Sequence, residues 1–179
     1  MKKTFILFSI LLCSMFAVKS QTTVPLQYRE LVDQLIKQLP KEQEEKVVTS
    51  PNRLLEFAKS MIGIRYRYAS SSPKKGFDCS GFVNYVFSNF GFKVPRSSRE
   101  FASSGEPRKL EDAKIGDVIL FTGTNSKSRS IGHVGIIYSI DGEEIKFIHS
   151  SSGNKRGVTI SSLDDGFYRK RFMKVVSIL

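Results

Sequence analysis

Gly76-Phe77-Asp78-Cys79-Ser80-Gly81-Phe82-Val83 is the stretch on which the fold turns. A cysteine opens an apolar run with helical spacing: Phe82, Val83, Val86, Phe87 and Phe90 share one face, and Gly91 ends it. Asp78 is the expected N-cap. A thiol at a helix N-terminus lies among backbone N–H groups that lack helical partners, in the positive end of the helix dipole. That setting favours the thiolate over a free thiol of pKa about 8.5. The same N–H groups can hold an oxyanion as a carbonyl is attacked. Gly81, in the first turn, leaves room for a substrate backbone.

Upstream, Ser50-Pro51 is a good helix start. Leu54, Leu55, Ala58, Met61 and Ile62 then mark a buried face, with Gly63 as the stop. Downstream of Val94-Pro95 the period changes. Gly116-Asp117-Val118-Ile119-Leu120-Phe121 reads as a buried strand, and Thr122 to Ser130 as a polar loop. His133 to Ile140 and Glu144 to Ser150 form a hairpin about Asp141-Gly142. Gly157 to Ile160 and Phe172 to Leu179 supply further short strands. Helices first and strands afterwards predict an α+β domain, its N-terminal helices packed on a mainly antiparallel sheet.

Residues 1–20 read as a cleavable export signal: Lys2 and Lys3, an apolar stretch from Phe5 to Leu12, then Val18-Lys19-Ser20 before Gln21. The stretch is too short for a stable membrane span. The expected location is the periplasm or the extracellular space. The rival is a lipoprotein signal cut before Cys13, against which Leu11-Leu12 speak. Residues 21–50 are a polar extension, with Leu31, Val32, Leu35, Ile36 and Leu39 at helical spacing before Pro40. Residues 51–179 form the main domain. Cleavage after Ser20 removes Lys2, Lys3 and Lys19 and leaves a charge of +8, three below the +11 of the whole chain. Such an excess favours anionic surroundings. An exported chain without a nucleic-acid motif points to headgroups or a wall polymer as partner, not to nucleic acid.

The same cleavage leaves Cys79 as the sole cysteine, beside two histidines. A lone cysteine is often an inert core thiol. Here the neighbours supply what a nucleophile requires: a base, and a group to orient it. His133 opens the strand-like His133-Val134-Gly135-Ile136-Ile137-Tyr138, and His149 closes Ile145-Lys146-Phe147-Ile148-His149 across the turn. One imidazole can activate Cys79 while the other fixes its tautomer. A zinc site would show close-paired ligands, which these three residues lack, so no metal or other cofactor is expected.

From Met61 onward the chain resembles the NlpC family of papain-like cell-wall cysteine peptidases. Gly63-Ile64-Arg65-Tyr66-Arg67-Tyr68-Ala69 is similar to the family's glycine-x-proline-tyrosine segment, with Arg65 in place of proline. Gly76 to Val83 matches its nucleophile motif, and Val94-Pro95-Arg96-Ser97-Ser98 its leucine-proline-arginine segment. Ile115 to Phe121, His133 to Tyr138 and Phe147-Ile148-His149-Ser150-Ser151 resemble its later strands. The resemblance implies a papain-like fold and hydrolysis of peptidoglycan stem peptides between D-glutamate and a diamino acid such as diaminopimelate. It makes Cys79 the nucleophile, His133 the base and His149 the third polar residue. It sets Tyr66 near the oxyanion, and Asp78 and Ser80 where a stem peptide's free amine binds. The alternatives are a non-catalytic wall-binding module, and an amidase or acyltransferase using the same thiol.

Overall fold

The computed structural model describes residues 34–38, 50–123 and 128–179. The expected export signal and most of the polar extension lie outside the described residues; residues 34–37 are helical, in keeping with the apolar spacing there. Among the described residues no helix is long and apolar enough to cross a membrane.

Helix α1 (Pro51–Lys59) starts on proline, whose missing N–H costs nothing in the first turn. Leu54, Leu55, Ala58 and Met61 are buried as their spacing requires. Ile62 is 46% exposed, against expectation. The helix ends before it, so the helical period no longer sets its direction, and Gly63 turns the chain at φ +89°. Helix α2 (Cys79–Ser88) buries Phe82, Val83, Val86 and Phe87 completely. Each such side chain contributes about 1.5–3 kcal/mol by leaving water. Together they fix the helix whose first residue is Cys79.

Before α2 runs a small antiparallel hairpin, β1 (Ser71–Ser72) and β2 (Gly76–Phe77). After it come β3 (Glu106–Arg108), β4 (Val118–Thr122), β5 (Ile131–Asp141), β6 (Glu144–Ser151), β7 (Gly157–Ser162), the short helix α3 (Gly166–Arg169) and β8 (Phe172–Ser177). Strands β3 to β8 form one six-stranded sheet in the order β3-β8-β4-β5-β6-β7, with every pair antiparallel. Strand β4 shows why the sheet is apolar on both faces. Val118 and Leu120 join the core under α1 and α2, while Ile119 and Phe121 join a second core on the opposite face with Phe147 and Leu163. This is the α+β, mainly antiparallel arrangement the residue pattern predicts.

The β5–β6 turn lies one residue later than expected. Asp141 pairs with Glu144, so the loop is Gly142-Glu143, and only Gly142 takes a positive φ, of +58°. That is the type II′ pattern, which places glycine first.

Candidate active site

Asp78 caps α2: its Oδ1 accepts the Gly81 N–H at 2.7 Å. The rest of the carboxylate is engaged as well. Oδ1 accepts from Arg96 Nη1 at 2.9 Å and from the Ser80 hydroxyl at 3.3 Å. Oδ2 accepts from Arg96 Nη2 at 2.5 Å and from the Ser70 N–H at 3.1 Å. Arg96 Nη1 also donates to Ser80 Oγ at 3.0 Å. Asp78 and Ser80, both 7% exposed, thus form a buried network closed by a bidentate arginine. Any substrate amine received here shares that carboxylate with Arg96. Reading residue by residue missed Arg96 as a site member; its signal was the Val94-Pro95-Arg96-Ser97-Ser98 segment.

Gly81 has a reason other than substrate access. A Cβ there would lie 2.2 Å from the carbonyl oxygen of Ser70 and 2.9 Å from Asp78 Oδ1. The space is already taken by the segment that leads into β1, and glycine lets that backbone rest on the helix start.

The Cys79 thiol is half-buried, with Sγ 4.0 Å from the carbonyl oxygen of Gly132. Burial, and after it the Asp78 charge, raise its pKa above the ordinary thiol value. The N–H groups of Ser80, Val134 and Cys79 itself pull it the other way and do not prevail. The helix-start argument alone therefore gives the wrong direction for the resting site: it leaves out desolvation and the cap's own carboxylate.

Gly132 and Val134, whose backbones face the sulfur, flank His133. The His133 ring points to its neighbour strand, with Nε2 2.9 Å from His149 Nδ1. The other His149 nitrogen, Nε2, is 2.9 Å from Ser161 Oγ on β7 and 3.5 Å from the Tyr168 hydroxyl. His149 is fully buried. Gly135 makes this meeting possible, because a Cβ there would stand 3.2 Å from His149 Cβ and 2.8 Å from the Phe147 ring. Burial, followed by the field of Arg171, lowers the His133 pKa to about 4. Burial, followed by His133, holds His149 well below its ordinary value. Both rings rest neutral, so each carries one proton, and the shared contact has one donor and one acceptor.

Tyr66, Cys79, His133 and Ser161 line one cleft of about 810 Å³, which Tyr168 and Arg171 also line. Burial, then the fields of Cys79 and Asp78, raise the Tyr66 hydroxyl above its ordinary pKa. Asp78 and Ser80 sit outside the lining, at the buried start of α2. The fold therefore gathers Tyr66, Cys79 and His133 in the cleft and sets His149 behind His133. Ser161 and Tyr168 are the members that sequence reading missed. A serine in a β-strand and a tyrosine in a short helix carry no pattern of their own.

Several known proteins are similar to this chain. The murein DD-endopeptidase MepS/murein LD-carboxypeptidase of Escherichia coli strain K12 is 34% identical over 130 residues, 72% of this chain and 63% of that protein. The gamma-DL-glutamyl hydrolase of Bacillus subtilis strain 168 is 36% identical over 119 residues, 66% of this chain and 27% of that protein. The chain thus spans less than two thirds of the length of either relative. The crystal structure of an NlpC/P60 family protein from Bacillus cereus ATCC 10987 superposes with a TM-score of 0.65 at 28% identity. That match covers 73% of this chain and 40% of that one. Residues 63–177 match the model of the NlpC/P60 family, and the chain belongs to that family.

Proposed function

We propose that this chain is an exported cysteine endopeptidase that hydrolyses amide bonds in peptidoglycan stem peptides, at the D-glutamyl–diamino acid bond, through an acyl-enzyme on Cys79. The observation that carries the reading is the meeting, in one cleft, of a thiol at the start of α2 with His133, which His149 backs at 2.9 Å. The name of the Escherichia coli relative supports murein as the substrate class, and that of the Bacillus subtilis relative supports a γ-DL-glutamyl bond.

In this mechanism His133 Nδ1 takes the thiol proton as Cys79 Sγ attacks the amide carbonyl. The resting thiol and imidazole are both neutral, so proton transfer accompanies attack and no ion pair stands ready beforehand. For Nδ1 to be the base, the His133 proton must be on Nε2, where it donates to His149 Nδ1. His149 then holds its own proton on Nε2 and donates it to Ser161 Oγ, 2.9 Å away. The Cys79 N–H and the Tyr66 hydroxyl hold the oxyanion. His133 next gives its proton to the leaving amine as the C–N bond breaks. Water attacks the thioester, passes one proton to His133, and Cys79 recovers it.

A second reading has a specific support: the Escherichia coli relative is named a murein DD-endopeptidase and LD-carboxypeptidase, so the bond cut could be a DD or LD bond in place of the glutamyl one. Mass spectrometry of purified muropeptides after digestion separates the two. New N-terminal diamino acid and C-terminal D-glutamate fragments support the glutamyl bond. Fragments ending in D-alanine, or released D-alanine, contradict it. Intact muropeptides beside a folded protein would favour a binding module.

A further inference from the structure

The two cationic ends of the site differ in one respect. Arg96 is neutralised by Asp78, as described above. Arg171, at the other end, is not: among the described residues no carboxylate oxygen lies within 4.0 Å of its guanidinium, nor of the Lys155 ammonium that lines the same cleft. Arg171 is nevertheless held in place. Its Nη2 donates to the Thr122 carbonyl oxygen at 2.7 Å, and its guanidinium carbon lies 4.5 Å from the centre of the Phe167 ring. Thr122 follows Phe121, the register partner of His133, so the guanidinium is anchored on the His133 side of the cleft. Asp165 also lines this end, with its Oδ1 accepting the Phe167 N–H at 3.0 Å as the cap of α3.

Chemistry fixes which half of a substrate comes to this end. His133 must protonate the leaving amine, so the residue that owns that amine extends past His133, and the acyl half lies towards Tyr66. A fixed cation beside the base also opposes the imidazolium that catalysis needs; it contributes to the depression of His133 after burial. An anion on the leaving residue removes that opposition.

We infer that Arg171 forms a subsite for a carboxylate carried by the amino acid whose amine is released. The inference rests on the endopeptidase reading and deepens it: the cleft selects acidic leaving residues. The carboxylate has two sources, the α-carboxylate of the leaving residue or the distal carboxylate of a diaminopimelate side chain. Guanidinium–carboxylate pairing in a half-buried site is strong enough to discriminate.

The test uses the full chain and four synthetic peptides, L-alanyl-γ-D-glutamyl-X. X is diaminopimelate or lysine, each with its α-carboxylate free or amidated. The wild type is expected to favour the peptides with an available carboxylate by roughly 10- to 100-fold in kcat/KM. Arg171→Gln should collapse that preference to within about threefold, acting mainly through KM, and Arg171→Lys should restore part of it. A preference for free over amidated lysine assigns the α-carboxylate. A preference for amidated diaminopimelate over amidated lysine assigns the distal one. No preference in the wild type, or the same preference in Arg171→Gln, overturns the subsite while leaving the endopeptidase reading intact. Failure of the wild type to cut any of the four overturns both.

Discussion

His133 Nε2 stands 2.9 Å from His149 Nδ1, with the two rings nearly perpendicular at 87°. A contact this short between two neutral imidazoles fixes both tautomers together. Only one of the two arrangements leaves Nδ1 of His133 able to accept a proton from Cys79. Removing the acceptor should therefore act on the chemical step. His149→Ala is expected to lower kcat by roughly 10²–10⁴-fold, and His149→Asn, which keeps a polar partner, by about tenfold. Stopped assays with a stem peptide measure both; equal and small losses would contradict an orienting role.

Ser161 ends the same chain of hydrogen bonds. Its hydroxyl lies 2.9 Å from His149 Nε2, and Ser161→Ala leaves that buried nitrogen without its close partner. The expected result is a fall in kcat of roughly 3- to 30-fold at nearly unchanged KM. The nitrogen-15 spectrum of the histidines should show a mixture of His133 tautomers in place of one. A single unchanged tautomer with lowered activity would mean that the serine serves only packing.

The thiol pKa is raised by burial and by Asp78, so Cys79 should alkylate slowly at neutral pH. The rate with iodoacetamide is expected to climb with pH, with its midpoint above that of a free thiol. Asp78→Asn should move that midpoint down. A plateau of reactivity already reached at pH 7 would show a standing thiolate and contradict the neutral resting pair.

Acid should loosen the fold through the histidines. Their folded pKa values lie below the unfolded value of 6.5, His133 at about 4. Between those values the unfolded chain binds more protons, so stability is full above pH 6.5 and falls as pH drops towards 4. The shift of His133 corresponds to roughly 3 kcal/mol when both states are protonated. Tm measured from pH 7.5 to pH 4.5 should fall, and His149→Gln should fall less steeply. Parallel curves would contradict the linkage.

Gly81→Ala should be costly although the added group is one methyl. Its Cβ would meet the Ser70 carbonyl oxygen at 2.2 Å, a backbone atom that cannot move alone. A loss of roughly 5–15 °C in Tm is expected, together with lowered activity as Ser70 and Asp78 shift. An unchanged Tm would show that the segment before β1 can retreat.

Much of this was legible in the residues. The apolar period of Phe82 to Phe87 fixes α2, and the change to alternating strands after Val94 fixes the sheet. The three polar members stood where their neighbours gave them away: Cys79 at the start of α2, and His133 and His149 each two residues inside the end of a strand. Ser161, Tyr168 and Arg171 did not, because nothing local marks a residue whose partner is far away in the chain, and Arg96 was marked only by the Val94-Pro95-Arg96-Ser97-Ser98 segment. Asp78 was legible as a cap but not as the mate of Arg96, eighteen positions on. The direction of the thiol pKa also escaped, since desolvation is a property of the packed fold and not of the helix start.

The most direct test of the account is to catch the acyl group on Cys79. A stem peptide mixed with the full chain, acid-quenched within milliseconds to seconds and digested for mass spectrometry, should yield the Cys79 peptide carrying the acyl half as a thioester. Cys79→Ala should carry no adduct and lose hydrolysis by roughly 10³-fold or more while keeping its Tm. Undiminished hydrolysis by folded Cys79→Ala, or an acyl group on any other side chain, would contradict it.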